Sequence, residues 1–146
     1  MVRIMSIRVL IADDHEVVRE GLRVALAGSG ITIIGEAANG TQAAEKSARL
    51  SPDIVLLDIR MLGNDGFGAM ELIKTRFPKT KIIVLSAYNN LTYVARSVAL
   101  GASEYILKGA TPKEILQVIE HVANNCEPIE SSLFNLMRRT IEKRTN

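Results

Sequence analysis

The chain has 146 residues, of which 47% are hydrophobic and 23% are charged, so it can bury a core and is not expected to be disordered. Its formal net charge of +2 is too small to indicate nucleic-acid binding by itself, and its single cysteine, Cys126, excludes an internal disulfide. No apolar stretch approaches the roughly 20 residues that span a bilayer, so we expect a cytoplasmic protein without a membrane partner.

Short apolar runs alternate with segments of helical periodicity along the chain. Because strands that alternate with helices indicate βαβ units, this pattern predicts a parallel sheet. The first, third and fourth runs are almost continuously apolar, as is typical of strands buried on both faces. The predicted strands cover residues 7–12, 31–36, 53–58, 81–86 and 103–107.

Four predicted helices separate these strands, and a fifth follows the last strand. In the fifth helix Thr111 is placed as the N-cap, Pro112 takes the first position and Glu114 completes a capping box. Further along, Ser131 to Lys143 can form one more helix. The predicted class is therefore α/β, a flavodoxin-like (βα)5 doubly wound parallel sheet with strand order 2-1-3-4-5 and a short C-terminal linker or helix.

Three carboxylates lie at the ends of two predicted strands. Asp13 and Asp14 follow the first strand, and Asp58 closes the third. In the expected strand order these two strands are neighbours at the switch point, where ligands bind outside the carboxyl edge of the sheet. Like charges this close repel one another unless a cation neutralises them, and an all-oxygen site suits Mg²⁺. The sequence therefore predicts a magnesium site beside a reactive carboxylate.

Two further polar residues end strands at the same edge. Ser86 closes the fourth strand, and Lys108 follows the fifth. A carboxylate can attack a phosphoryl group and form an acyl phosphate, while Mg²⁺ and a lysine stabilise charge on the transferring oxygens. A serine hydroxyl can donate to a phosphate oxygen. Together these residue types indicate phosphoryl chemistry in one crevice.

With these motifs in this order, residues 6–124 resemble the receiver domain of two-component response regulators. Each motif alone is weak, but their order and spacing make the resemblance specific. The matching motifs are Asp13-Asp14 after strand one, Asp58 after strand three, the loop from Met61 to Gly66, Ser86-Ala87 after strand four, and Tyr105 with Lys108 around strand five.

The resemblance implies a role for each polar residue of the crevice. Asp58 would accept a phosphoryl group from a sensor histidine kinase. Asp14 and Asp58 would ligate Mg²⁺ directly together with the backbone carbonyl of Arg60, and Asp13 would act largely through water. Lys108 would pair with the phosphoryl oxygens. The protein would thus be no classical enzyme but would catalyse its own phosphorylation and dephosphorylation on Asp58.

The resemblance also implies a switch and a tuning pair. Ser86 would move toward the phosphate, and Tyr105 would turn inward behind it. Arg60 and Tyr88 occupy the positions that tune the lifetime of the phosphate, and their bulk predicts slow dephosphorylation. The chain departs from the family at two positions, where Leu62 and Gly109 replace the usual prolines. Neither departure removes a chemical group, but Gly109 predicts a more mobile loop.

The stretch from Ala12 to Leu22 is most similar to receivers that carry a LuxR/NarL-type helix-turn-helix output domain. We therefore divide the chain into a receiver at 6–124 and a linker or C-terminal tail at 125–146. This tail would lead to an output domain that the 146 residues do not contain, and DNA would be bound only through that domain. Phosphorylation would control transcription. The resemblance also implies a homodimer on phosphorylation, since receivers of this family often pair through helix four, strand five and helix five, or through helices one and five.

Other interpretations remain open at this point. A stand-alone receiver would act through protein partners, and a degenerate receiver would serve only as a docking scaffold. A Mg²⁺-dependent aspartyl phosphatase would use Asp58 as nucleophile, but such enzymes usually place a second aspartate where this chain has Arg60. We interpret His15 as an exposed residue of the first helical turn and Cys126 as a linker residue.

Overall fold

The computed structural model describes residues 6–61, 64–124, 129 and 132–145. Strands and helices alternate through most of the chain, and a sixth helix follows. The strands of the main sheet are β1 (Ile7–Ala12), β2 (Ile31–Ala37), β3 (Ile54–Leu57), β4 (Lys81–Ser86) and β5 (Glu104–Leu107). The helices are α1 (Glu16–Leu26), α2 (Gly40–Leu50), α3 (Gly66–Arg76), α4 (Leu91–Ala99), α5 (Pro112–Ala123) and α6 (Leu133–Thr145).

The five strands pair in parallel in the order β2-β1-β3-β4-β5, which confirms the predicted flavodoxin-like topology. In the register of the central strands, Ala12 of β1 lies opposite Leu57 of β3, and Leu57 lies opposite Val84 of β4. The chain leaves each of these strands at the same edge of the sheet. The residues that follow them therefore converge at this edge.

Alternate side chains of the sheet supply two separate hydrophobic layers, as the two-residue period of a strand requires. On one face, Val9, Ile54 and Ile83 pack against α1 and α5. On the other face, Leu10 and Val55 pack against residues of α2 and α3. Because both faces are covered, β1, β3 and β4 are apolar along most of their length.

The strand bounds differ slightly from the predicted ones around β3. Asp53, predicted as the first residue of this strand, lies directly before it, and its Oδ2 accepts the backbone N–H of Arg8 at 2.8 Å. Asp58 lies one residue beyond the strand, and this places its side chain in the crevice. The predicted capping box of α5 is present, since Thr111 and Glu114 each accept the other's backbone N–H.

A short antiparallel pair joins β3 to α3. Arg60 pairs with Asp65, and Met61 pairs with Asn64. The N–H of Gly66 donates to the carbonyl of Ile59 at 3.1 Å. This ladder folds the segment back onto the end of β3. Leu62 and Cys126 lie outside the described residues. Within the described part of the chain, none of the helices has the length and apolar character needed to cross a membrane.

Candidate functional site

Asp13 and Asp58 are placed side by side by backbone hydrogen bonds at the end of the sheet. The N–H of Asp58 donates to the carbonyl of Ala12 at 2.9 Å, which continues the β1–β3 ladder by one residue. Both carboxylates are buried, and Asp14 next to them is half-buried. One ligand atom each of Asp13, Asp14, His15 and Asp58 lies within 4.8 Å of the others. The two predicted acidic motifs therefore meet in one crevice.

Lys108 links two of these carboxylates. Its Nζ lies 2.7 Å from Asp13 Oδ2 and 3.1 Å from Asp58 Oδ2. Its backbone N–H donates to the carbonyl of Ser86 at 2.8 Å, which ties the ends of β4 and β5 together. Burial lowers the pKa of the Lys108 ammonium, but the hydrogen bond to Asp13 and the charges of Asp58 and Asp13 outweigh it and raise the pKa. Lys108 is therefore a cation held in place.

The remaining groups around the carboxylates come from the two neighbouring loops. The backbone N–H of Arg60 donates to Asp58 Oδ1 at 2.9 Å, and the backbone N–H of His15 donates to Asp13 Oδ1 at 2.8 Å. The imidazole Nδ1 of His15 lies 2.8 Å from Asp14 Oδ1, although the side chain is 66% exposed. His15 is exposed as expected, but it contacts the acidic site.

Ser86 is fully buried at the end of β4, and its hydroxyl accepts the backbone N–H of Tyr88 at 3.1 Å. The hydroxyl of Tyr105 donates to the carbonyl of Tyr88. Burial raises the pKa of the Tyr105 phenol above its ordinary value of 10.0. The two predicted switch residues are therefore joined through one residue of the β4–α4 loop.

The guanidinium of Arg60 lies over two aromatic rings, those of Tyr88 and Tyr93. Its central carbon lies 5.2 Å from the ring centroid of Tyr88 and 5.9 Å from that of Tyr93, and it donates to the hydroxyl of Tyr93. Tyr93 also packs against Phe67, with ring centroids 6.0 Å apart. We call Arg60, Tyr88 and Tyr93 the arginine–tyrosine cluster. Because Arg60 follows Asp58 by two residues, this cluster lies beside the loop that carries Asp58.

The donor set fits a hard divalent cation such as Mg²⁺. Three carboxylates converge at the crevice, and the single positive charge of Lys108, which contacts Asp13 and Asp58, leaves negative charge in excess. Oxygen ligands and uncompensated carboxylate charge are what Mg²⁺ prefers, and repulsion between the carboxylates favours a bound cation. Which oxygens bind the ion stays a prediction, including the carbonyl of Arg60.

The structure brings the predicted residues to one edge of the sheet, and it adds two contributors that the sequence did not reveal. Tyr93 had no motif signal, because its contact with Arg60 depends on how α4 packs. Arg19 donates to the backbone carbonyl of Asp13 and to Glu36, and thereby braces the β1–α1 loop. The contact of His15 with Asp13 and Asp14 had one sequence signal, which is that His15 directly follows the two aspartates.

Comparison with known proteins gives a consistent result. Residues 9–120 match the response regulator receiver domain family. A response regulator protein VraR of Staphylococcus saprophyticus is 36% identical over 141 residues, which cover 96% of this chain and 68% of that protein. A transcriptional regulatory protein of Bacillus subtilis, YhcZ, is 34% identical over 151 residues, which cover 90% of this chain and 71% of that protein.

Solved structures agree with the sequence relatives. The signal receiver domain of the response regulator NarL from Mycobacterium tuberculosis superimposes with a TM-score of 0.78 at 31% identity, covering 83% of this chain and 98% of that domain. A LuxR-family two-component response regulator from Aurantimonas sp. SI85-9A1 gives a TM-score of 0.81 at 25% identity, covering 97% of this chain and 99% of that one. The chain therefore belongs to the receiver domains of two-component response regulators, and its relatives are of the LuxR/NarL type.

Proposed function

We propose that this receiver accepts a phosphoryl group on Asp58 from a sensor histidine kinase, in a reaction that needs Mg²⁺. The observation that carries the proposal is the position of Asp58, which is buried between Lys108 and two further carboxylates. A buried carboxylate with a fixed ammonium beside it is suited to attack a phosphoryl group, because the charge that develops on the phosphoryl oxygens meets a cation already in place.

The transfer needs one bond to form and one to break. An oxygen of Asp58 forms the new bond to phosphorus, while the bond from phosphorus to the kinase's histidine nitrogen breaks and that nitrogen keeps the electron pair. Lys108 Nζ already lies 3.1 Å from Asp58 Oδ2 and can follow the incoming phosphoryl oxygens. The Arg60 backbone N–H holds Asp58 Oδ1 at 2.9 Å and so orients the carboxylate.

Asp13, Asp14, Asp58 and the carbonyl of Arg60 would hold Mg²⁺. The ion supplies charge neutralisation for the phosphoryl group when it is bound. Without it, a phosphoryl dianion would meet three carboxylates and one lysine. We therefore expect phosphorylation to stop when divalent cations are chelated.

Ser86 and Tyr105 would carry the switch. The Ser86 hydroxyl now accepts the N–H of Tyr88, and Tyr105 donates to the carbonyl of the same residue. If Ser86 turns toward a phosphoryl oxygen, it must leave this hydrogen bond, and the β4–α4 loop that Tyr105 holds becomes free to move. These two hydrogen bonds to the backbone of Tyr88 form the two-state element that phosphorylation would bias.

We propose transcription as the output, because the relatives include a response regulator and a transcriptional regulatory protein. We propose residues 6–124 as the receiver and 125–146 as a linker to an output domain that binds DNA. The protein would act in the cytoplasm, with a histidine kinase as its partner and a homodimer as its active form.

The decisive experiment is incubation of the full chain with acetyl phosphate and Mg²⁺, followed by intact mass measurement. We expect the wild type to gain one phosphoryl group, and Asp58→Asn to gain none. Asp53→Asn is a matched control. Asp53 also lies where a loop meets β3, but its side chain accepts the backbone N–H of Arg8 and does not face the crevice residues described above.

The alternatives give different results in the same experiment. A wild type that gains no phosphoryl mass, or an equal gain in Asp58→Asn, would contradict the proposal and favour a docking scaffold. Continuous turnover of an aryl phosphate that depends on Asp58 would instead indicate a phosphatase.

A further inference from the structure

The helix α6 is not a free tail but packs against α4 and the start of β5. Its residue Phe134 is only 2% exposed, and its neighbour Asn135 is also buried. On the outward face of the same helix, Leu136 is 61% exposed. The helix therefore has one anchored face, and Phe134 is the apolar anchor of that face.

Glu104, the first residue of β5, has a buried carboxylate that binds residues preceding α6. Glu104 Oε2 accepts the backbone N–H of Ile129 at 3.3 Å, and its Oε1 accepts the backbone N–H of Tyr105 at the same distance. The Ser132 hydroxyl also hydrogen-bonds to this carboxylate. Ser132 Oγ in turn accepts the N–H of Asn135 at 3.0 Å, which caps the first turn of α6. Ile129 and Ser132, which precede α6, are thus held beside Tyr105.

Tyr105 connects this attachment to the phosphorylation site. Together with Leu133 and Ser132 it lines a cavity of about 550 Å³ between α6, β5 and α5. Its hydroxyl holds the carbonyl of Tyr88 in the loop that leads into α4. Two attachments therefore fix α4 in its present position, the hydrogen bond from Tyr105 at its N-terminal loop and the packing of α6 along its side.

We propose that α4 and β5 form a helix-binding surface whose occupant in the unphosphorylated protein is α6 of the same chain, and that phosphorylation of Asp58 releases this helix. This inference rests on the proposed function, because it needs a phosphoryl group on Asp58. When the Tyr105 hydroxyl leaves the carbonyl of Tyr88, the loop into α4 loses this restraint. The surface of α4 and β5 on which α6 packs then changes shape. Binding linkage then requires that docked α6 opposes phosphorylation by the same factor by which phosphorylation opposes docking.

Hydrogen exchange on the full chain tests the inference, with Mg²⁺ present and with or without acetyl phosphate. Intact mass of the same samples reports phosphorylation. In the wild type we expect amides of residues 133–145 to exchange at least about fivefold faster once Asp58 is phosphorylated, the lower end of typical couplings between sites. In Phe134→Ala the fast exchange should be present without acetyl phosphate, and the ratio of phosphorylated to unphosphorylated protein at a fixed acetyl phosphate concentration should be higher than in the wild type. Leu136→Ala, on the exposed face, should match the wild type.

The possible failures are distinguishable. A phosphorylated wild type with unchanged protection of α6 overturns this inference and leaves the proposed function intact, and so does identical behaviour of Phe134→Ala and Leu136→Ala. Protection of α6 that rises with protein concentration shows that the helix docks on a second copy, which overturns the intramolecular form proposed here. A wild type that gains no phosphoryl mass overturns both proposals. The wild-type comparison decides the matter even if Phe134→Ala fails to fold.

Discussion

At the scale of single residues, the crevice brings three carboxylates close together in a partly buried site, which is unfavourable for the folded protein. Asp13 and Asp58 are buried, and Lys108 is the cation that contacts both. Asp14 adds a third carboxylate within 4.8 Å of these groups. Repulsion among them lowers the stability of the metal-free protein, so the site trades stability for the ability to bind a cation.

Asp14→Asn tests this trade. The amide keeps the shape of the side chain but removes one negative charge, so we expect the free energy of unfolding in a chelating buffer to rise by about 1 kcal/mol. The same variant should lose most of the stabilisation that Mg²⁺ gives the wild type. Urea unfolding with and without Mg²⁺ measures both effects. An Asp14→Asn protein that is less stable than the wild type without metal would contradict the repulsion argument.

The arginine–tyrosine cluster gives a second prediction at this scale, which concerns how long a phosphoryl group survives. Arg60 follows Asp58 by two residues and lies over Tyr88 and Tyr93. We infer that the bulk of this cluster hinders an attacking water molecule. We expect Arg60→Ala to speed hydrolysis of the phosphorylated protein about tenfold, which corresponds to about 1.4 kcal/mol in the barrier.

Loss of phosphoryl mass over time, after removal of acetyl phosphate, measures this rate. Arg96→Ala is the matched control, because Arg96 makes a similar contact, 4.4 Å from the Phe67 ring centroid, but on α4. Equal rates for the wild type and Arg60→Ala would show that the cluster does not protect the phosphate.

At the scale of elements, the crevice depends on how the chain turns from β3 into α3. Gly66 begins α3 directly against the end of β3, and a Cβ at this position would lie 2.5 Å from the carbonyl oxygen of Asp58 and 2.5 Å from Ile59 Cα. These are backbone atoms that cannot move without displacing Asp58. The close approach of α3 therefore fixes the loop that carries Asp58.

Two glycines of α3 form a natural pair for testing this. Gly66→Ala should lower the free energy of unfolding by about 3 kcal/mol, because the clash is with backbone. Gly68→Ala should raise it by about 0.5–1 kcal/mol, because a Cβ at Gly68 meets nothing within 4 Å and alanine is the better helix former. Urea unfolding of both variants gives the comparison. Similar effects in the two variants would show that the approach of α3 is not tight.

At the scale of the whole molecule, the sheet divides the core into two layers, and the buried carboxylate of Glu104 lies away from the crevice. Burial raises the pKa of Glu104 above its ordinary value of 4.5, although hydrogen bonds from Tyr105, Ile129 and Ser132 and the charge of His121 oppose the shift. Between pH 4.5 and the raised pKa, Glu104 therefore keeps a proton in the folded protein that it has lost in the unfolded chain. Stability from this group is present at lower pH and falls as the pH rises through that interval.

Glu104→Gln removes this titration and keeps a side-chain oxygen as acceptor. We expect the free energy of unfolding of the wild type, relative to that of the variant, to decrease as the pH is raised from 4.5. Urea unfolding of both proteins across a pH series measures the difference, and the other titrating groups cancel to a first approximation. A difference that is constant with pH, or that grows in favour of the wild type, would contradict the shift.

Much of the fold was predictable because local and global signals agree in this chain. The apolar runs of β1, β3 and β4 and the capping box at Thr111 identify elements without tertiary information, and strand order then brings Asp13 to Asp58. The contact of Tyr93 with Arg60 was not predictable, because it depends on the rotation of α4. The docking of Phe134 was missed for the same reason, since periodicity indicates an apolar face but not the surface that receives it.

The arginine–tyrosine cluster has an optical consequence. The chain contains three tyrosines and no tryptophan, and the third tyrosine, Tyr105, donates to the backbone of Tyr88. The ring centroids of Tyr88 and Tyr93 are 6.1 Å apart. All tyrosine fluorescence of the chain therefore originates beside the proposed switch residues, so tyrosine emission offers an unlabelled readout of the phosphorylation proposed at Asp58.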